Sequence, residues 1–103
     1  MIKVIYLVNY TPQALKGLMQ DCDRASALSA VFESVGGKLT GLSFTDGPYD
    51  LVIQAEVPDQ AASMAVWTAA RSSGSVMGGV TLNVVDMPAV MALANKAVYK
   101  PAG

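Results

Sequence analysis

The sequence predicts an α+β domain built on one antiparallel sheet of four strands, with helices packed on one side of the sheet. Four segments are rich in apolar and β-branched residues, and three others repeat apolar residues at helical spacing. The two kinds of segment follow one another in the order β-α-β-β-α-β-α. Because 103 residues suffice for one domain, we expect residues 1–103 to form a single domain.

The first strand is predicted over residues 2–10, and it carries apolar residues on both faces. A strand that is buried on both sides is central in its sheet. The helix that follows has Thr11 as its predicted N-cap and Pro12 at its first helical position. The polar residues 20–24 predict a break within this helix before it ends at Gly36.

The rest of the chain contains three more strands and two more helices. The strands are predicted over residues 38–46, 49–57 and 76–85, and the helices from Asp59 to about Ser73 and from Asp86 onward. The pair Gly78-Gly79 indicates a bulge in the last strand. We expect the helix after Asp59 to meet the sheet through a face of small apolar residues, formed by Ala62, Ala65, Val66 and Ala69.

The first six elements match the βαββαβ order of the ferredoxin-like arrangement, with one further helix at the C-terminus. In that topology the first and third strands are central, and these are the two strands whose sequences suit a central position. The helices cover only one face of the sheet. We therefore expect the other face, which carries Ile5, Leu7 and Val52 or the opposite set of residues, to pack against a second copy, so that two sheets enclose a barrel-like core.

The composition is apolar for a chain of this size. Hydrophobic residues make up 52% and charged residues 15%, whereas ordinary domains have about 25% charged residues. A small domain cannot bury so many apolar side chains in its own core. The longest clean apolar run near the N-terminus, residues 4–8, is far shorter than the roughly 20 residues that a membrane-spanning helix needs. The surplus therefore predicts a subunit interface or a ligand cavity, with no membrane partner.

The net charge, the absence of His and the single Cys exclude several classes of function. Seven Lys and Arg residues against eight Asp and Glu residues argue against binding nucleic acid through a basic face. The absence of His excludes triads, metal sites and proton shuttles that depend on it, and the single Cys22, expected to be a packing residue, excludes a disulfide within the chain. We expect no metal site and no cofactor. No signal-peptide pattern is visible, so we expect a cytoplasmic protein.

Five residues are candidates for ligand binding. Asn9 can hydrogen-bond a ligand carbonyl, Tyr6 can form a pocket wall and Trp67 can cap a pocket. Asp50 can act as a base or orient a ligand, with the Tyr49 hydroxyl as a donor. Each residue also has a purely structural explanation, since Asn and Asp are common in turns and buried aromatic residues pack in cores.

Arg24 and Arg71 are the only arginines of the chain. The planar guanidinium of either residue can bind a carboxylate or a phosphate. Surface ion pairing is the commoner role for an isolated arginine, and it contributes little stability.

Two segments resemble the GYD domain family. The first is Tyr-Leu-Val-Asn-Tyr-Thr-Pro at residues 6–12, and the second is Gly-Pro-Tyr-Asp at residues 47–50, which is similar to the Gly-any-Tyr-Asp motif that names the family. Pro58-Asp59 before an Ala-rich helix also matches, so the resemblance covers residues 1–85. It implies a ferredoxin-like fold of the dimeric α+β barrel type and no known reaction. Family members often carry Arg near the start of the fourth strand, where residues 75–79 here read Ser-Val-Met-Gly-Gly, which puts an anion site based on that Arg in doubt.

Three functions remain open from the sequence. The first is binding of a small, mostly apolar molecule between sheet and helices, near Tyr6, Asn9, Tyr49 and Asp50. The second is a cofactor-independent enzyme, since dimeric α+β barrels include oxygenases, isomerases and lactone-forming or lactone-opening enzymes. Without His, its acid–base chemistry would depend on Asp50, Glu56, a Tyr or a Lys. The third is an assembly module whose apolar face serves only the packing of subunits.

Overall fold

A computed structural model describes residues 1–102 of the chain. It contains four strands and four helices within these residues. In chain order these are β1 (Ile2–Tyr10), α1 (Pro12–Gln20), α2 (Ala25–Ser34), β2 (Lys38–Phe44), β3 (Leu51–Val57), α3 (Gln60–Ser72), β4 (Val76–Asn83) and α4 (Met87–Ala94).

The strands form one antiparallel sheet in the order β2-β3-β1-β4. The prediction that the first and third strands are central is therefore confirmed, and the fold is the α+β, ferredoxin-like arrangement. Along β1, Val4, Tyr6, Val8 and Tyr10 are buried, while the residues that alternate with them are half-buried. Since side chains alternate across a strand, the buried set faces the helices and the other set forms the open face of the sheet.

The helices begin where the capping residues predict. The side chain of Thr11 accepts a hydrogen bond from the Ala14 N–H at 3.1 Å. The side chain of Asp59 accepts one from the Ala62 N–H at 2.9 Å. Each bond satisfies one of the free N–H groups that a helix N-terminus leaves. The break predicted at residues 20–24 is also confirmed, because α1 ends at Gln20 and α2 begins at Ala25.

The prediction for the buried face of α3 is wrong in part. Ser63 and Val66 are the buried residues of this helix, whereas Ala65 and Ala69 are exposed. The physical reason is a hydrogen bond of 2.7 Å between the Ser63 hydroxyl and the buried Tyr6 hydroxyl, which turns Ser63 toward the sheet. Cys22 is likewise exposed and does not pack in the core as expected, because it lies in the connection between α1 and α2.

The loop from β2 to β3 is longer than the sequence predicts. The Thr45 N–H donates to the Asp50 carbonyl at 2.9 Å, and the Thr45 hydroxyl donates to the Tyr49 carbonyl at 2.6 Å. These bonds close the loop, so Tyr49 and Asp50 lie in it, and β3 begins at Leu51.

The predicted irregularity in the last strand is confirmed. Asn9 pairs with Gly78 but Tyr10 pairs with Val76, so one residue of β4 is extra at this point. Gly79 has a φ of +154°, and a Cβ there would collide with the backbone carbonyl of Leu7 and lie 3.0 Å from the Trp67 ring. The position therefore requires glycine.

The C-terminal part of the described chain extends away from the rest. Every residue from 79 to 102 is exposed, including all of α4. The radius of gyration is 16.9 Å, whereas a compact domain of this length has one of about 13 Å. Within residues 1–102, no helix is both long enough and apolar enough to cross a membrane.

Candidate functional site

A cavity of about 200 Å³ lies between the helix-facing side of the sheet and helices α2 and α3. Its walls come from β1, β3, α2, α3 and the start of β4, and they are mainly apolar. Apolar lining residues include Val8, Leu28, Val31, Ile53 and Val66. The cavity has the apolar character that small-molecule sites usually have.

An aromatic group forms one wall of this cavity. The rings of Tyr6 and Trp67 stack at a centroid distance of 6.1 Å with 19° between their planes, and Tyr6 meets Phe32 at 5.8 Å. The Tyr6 hydroxyl is paired with Ser63, at 2.7 Å to its hydroxyl and 3.3 Å to its carbonyl. Burial raises the pKa of Tyr6, and the hydrogen bond with the Ser63 side chain offsets part of that rise. This wall is therefore neutral and fixed in position.

Tyr10 and Arg24 form the polar side of the cavity. Tyr10 is only 6% exposed, and its hydroxyl oxygen is buried without a hydrogen-bond partner. The Nε atom of Arg24 is also buried without a partner. Burial raises the pKa of Tyr10, the adjacent Arg24 guanidinium opposes the rise, and the Asp50 charge adds to it. The Arg24 guanidinium lies close enough to the Tyr10 hydroxyl to lower its pKa through its charge and a weak side-chain contact, although neither the hydroxyl oxygen nor the Nε atom has a partner at hydrogen-bonding geometry.

Asp50 acts in the structure as a backbone acceptor. Its Oδ2 atom accepts a hydrogen bond from the Tyr10 N–H at 2.9 Å, and its own N–H donates to the Val8 carbonyl at 2.9 Å. These two bonds hold the loop before β3 against the end of β1. Tyr49 precedes it in the same loop and is half-buried.

The structure divides the five predicted site residues into two groups. Tyr6 and Trp67 line the cavity together. Asn9 lies on the open face of the sheet, because it alternates with the helix-facing Val8 and Tyr10. Asn9, Tyr49 and Asp50 are not among the residues within 1–102 that line the cavity.

The sequence did not place Tyr10 and Arg24 at this cavity, and it did not identify Ser63 as the partner of the Tyr6 hydroxyl. The alternation along the first strand could have identified Tyr10, because Tyr10 is on the same face as Tyr6 and Val8. Arg24 lies in the break between two helices, where periodicity gives no information about orientation. The burial of Ser63 could not be predicted, because its neighbours in the helix include several alanines of similar size.

The open face of the sheet is the second surface of interest. Ile5, Leu7 and Val52 are half-buried there, and Val80 and Leu82 are paired opposite Leu7 and Ile5 with exposed fractions of 40% and 44%. Lys3 and Glu56 lie side by side on the same face, since they are paired between β1 and β3. The face is thus apolar at its centre and carries both signs of charge at one end.

Comparison with known structures supports the fold. The chain is similar to the solved structure described as the crystal structure of MtbAldR, with a TM-score of 0.55 and 11% sequence identity. The similarity covers 82% of this chain and 52% of that chain, so this chain spans about half the length of its neighbour. At this identity the similarity shows the fold alone. No curated protein matches the chain significantly.

Comparison with protein families identifies the chain more closely. The family model of the GYD domain matches residues 5–94, which is most of the sequence. The match includes β1 from Ile5 onward, the loop with Tyr49 and Asp50, and all four helices. The chain belongs to the GYD domain family.

Proposed function

We propose that this protein binds a small, mostly apolar molecule in the cavity between the sheet and helices α2 and α3. The cavity itself carries this proposal. Protein interiors are close-packed, with few voids larger than a water molecule, so a cavity of about 200 Å³ in a domain of 103 residues is a substantial one. A cavity of about 150 Å³ with apolar walls is large enough to bind benzene.

The composition of the walls favours binding over catalysis. The carboxylates that the enzyme hypothesis would use, Asp50 and Glu56, are not among the residues within 1–102 that line the cavity. Asp50 is also held by the Tyr10 N–H. An enzyme working in this cavity would therefore depend on Tyr6 or Tyr10 for proton transfer, and burial raises the pKa of both. Binding needs no such group.

The test uses Trp67, which is the only tryptophan of the chain and lines the cavity. We expect its fluorescence to change in a saturable way when 1-hexanol is titrated into the protein. The variant Ala70→Phe, which fills the cavity, should abolish the change. Ala65→Phe is the matched control, because Ala65 is on the same helix, is exposed and does not line the cavity. Loss of binding in both variants, or saturable binding in Ala70→Phe, would contradict the proposal.

Self-association is the second part of the proposed function, and its partner is a second copy of this chain. A compact chain of 10.7 kDa exposes about 5,500 Å² of surface, but this chain exposes 7076 Å². The excess, about 1,600 Å², exceeds the roughly 800 Å² that each partner contributes to a standard interface. The open face also bears both Lys3 and Glu56, so no single sign of charge repels a second copy.

Helix α4 supports the same proposal. It has only eight residues, all exposed, and its sequence is apolar on every side. An isolated helix shorter than about 12 residues is marginal in water. Although Asp86 caps it through the Ala89 N–H at 3.3 Å, one capping bond does not make such a helix stable. Packing against a second subunit would supply the missing contacts.

A further inference from the structure

We infer that the ligand is a small carboxylic acid with an apolar body, whose carboxylate binds between the Tyr10 hydroxyl and the Arg24 guanidinium. This inference rests on the proposed function, because it names the class of ligand for the same cavity. Two polar groups that lack partners, on two different elements of the fold, carry it.

The first group is the Tyr10 hydroxyl. Tyr10 is 94% buried at the end of β1, lines the cavity, and its hydroxyl oxygen has no hydrogen-bond partner among residues 1–102. A buried hydroxyl that loses its water without gaining a partner is destabilising. Tyr6, four residues earlier on the same face, shows the contrast, since its hydroxyl is paired with Ser63 at 2.7 Å. The cavity side of Tyr10 is therefore a place where a ligand oxygen would satisfy a donor.

The second group is the Arg24 guanidinium. Arg24 precedes α2, its side chain makes no capping hydrogen bond there, and its Nε is buried without a partner. Arg24 lines both the apolar cavity and a neighbouring, more polar cavity, as Tyr10 does. A guanidinium offers donors in a planar fork that matches a carboxylate. The two residues thus present donors to one region.

The carboxylates of the chain near this region are held by other donors. Asp50 accepts from the Tyr10 N–H at 2.9 Å. Asp21 accepts from the Asp23 N–H at 2.9 Å, and Asp23 accepts from the Ser26 hydroxyl at 3.3 Å. None of the three is hydrogen-bonded to the Arg24 Nε. A carboxylate brought by a ligand would be the missing acceptor.

The size and lining of the cavity define the remainder of the ligand. Apart from Tyr10 and Arg24, the walls are mainly aliphatic and aromatic. By comparison with the cavity of about 150 Å³ that holds benzene, a cavity of this size admits a ligand of roughly six to ten non-hydrogen atoms. An aliphatic or aromatic acid of this size places its hydrocarbon part beside Trp67 and Phe32 and its carboxylate at the polar side.

The experiment compares hexanoate with hexanamide, which have nearly the same shape and differ in charge. Binding of each is measured by Trp67 fluorescence at neutral pH. We expect hexanoate to bind at least about tenfold more tightly than hexanamide, because hydrogen bonds to a charged acceptor are the stronger ones. Arg24→Gln should remove this preference, and Tyr10→Phe should reduce it by several fold.

Two further variants control for the loss of any arginine and for the loss of positive charge at position 24. Arg71→Gln removes the other arginine, which is exposed on α3 and does not line the cavity, and it should leave the preference unchanged. Arg24→Lys keeps the charge and loses the fork, so it should retain part of the preference. Circular dichroism of each variant establishes that it folds. Gln at position 24 removes no helix cap, since the Arg24 side chain provides none.

The outcomes separate this inference from the proposed function. Equal binding of hexanoate and hexanamide would overturn the carboxylate assignment and leave the cavity as a site for neutral molecules or ordered water. An unchanged preference in Arg24→Gln would also overturn it. If neither compound binds and 1-hexanol does not bind either, the proposed function fails, and the carboxylate assignment fails with it.

Discussion

The two faces of the sheet differ although the same strands form them. On the helix-covered face, Tyr6, Val8 and Leu51 are at most 2% exposed. On the open face, Ile5, Leu7 and Val52 alternate with them and are only half-buried. Both sets are apolar, so hydrophobicity alone does not decide which face the helices cover. The covered face carries the large aromatic residues and the cavity, whereas the open face has no covering within the described chain.

The first prediction concerns Phe32, which is fully buried on the helix that covers the sheet. Phe32→Ala should lower the free energy of unfolding by about 3–5 kcal/mol, because it removes a large side chain and leaves a void. Urea denaturation measures this change. Phe44→Ala is the matched control at a position that is 51% exposed, and it should cost about 1 kcal/mol or less. Equal costs would contradict the burial of Phe32 between α2 and the sheet.

The second prediction concerns two adjacent glycines of β4. Gly79→Ala should destabilise the protein by about 2–4 kcal/mol, because its φ is strained for other residues and the new methyl group would meet the Leu7 carbonyl. Gly78→Ala is the control, since it has an ordinary φ and nothing lies within 4 Å of its Cβ position. Thermal unfolding of the two variants measures the difference in stability. Similar behaviour of both would contradict the pairing of β4 with β1 described above.

The third prediction concerns the open face. Leu82→Asp should convert dimers into monomers, because it places a charge in the proposed interface. Leu82 is 44% exposed on strand β4 at the edge of the sheet, so the isolated chain can solvate the new carboxylate and should still fold. Light scattering after size-exclusion chromatography gives the subunit number. Met64→Asp, at a residue of α3 that is 61% exposed, is the control and should leave the assembly intact.

The fourth and smallest effect is a dependence on alkaline pH. Burial raises the pKa of Tyr6 and Tyr10 above the ordinary value of 10. The folded chain therefore holds these two protons where the unfolded chain releases them, so the stabilisation is complete below pH 10 and is lost as the pH rises through the folded-state pKa. Unfolding free energies measured across this range should fall less steeply in Tyr6→Phe than in Tyr99→Phe, whose residue is 83% exposed. Parallel curves would contradict the burial of Tyr6.

Much of the fold could be predicted because its signals are local. Thr11-Pro12, Asp59 and the polar break at residues 20–24 act through neighbouring backbone groups, and each marks a helix boundary as expected. The order of the strands followed from which of them are apolar on both faces. Tyr49 and Asp50 continue the alternation of β3, so the pattern predicts a strand there, whereas bonds from the Thr45 N–H and hydroxyl close a loop.

The candidate site was harder to predict because it depends on contacts between distant residues. Tyr6 and Trp67 were expected to contribute, and they line one cavity. The pairing of Tyr6 with Ser63 joins residues 57 positions apart, and it sets the rotation of α3 that the alanine pattern did not indicate. Tyr10 and Arg24 stand out because each has a buried polar atom without a hydrogen-bond partner. A sequence does not show which atoms are buried or which of them lack partners.

Two occupants are proposed for the sheet: a ligand on the helix-covered face and a second copy of the chain on the open face. Native mass spectrometry of the purified protein, followed by the same sample under denaturing conditions, tests both parts in one measurement. We expect a dimer or larger assembly with additional mass that is lost on denaturation. A bare monomer would contradict it, because both the cavity and the excess surface would then lack the occupants assigned to them.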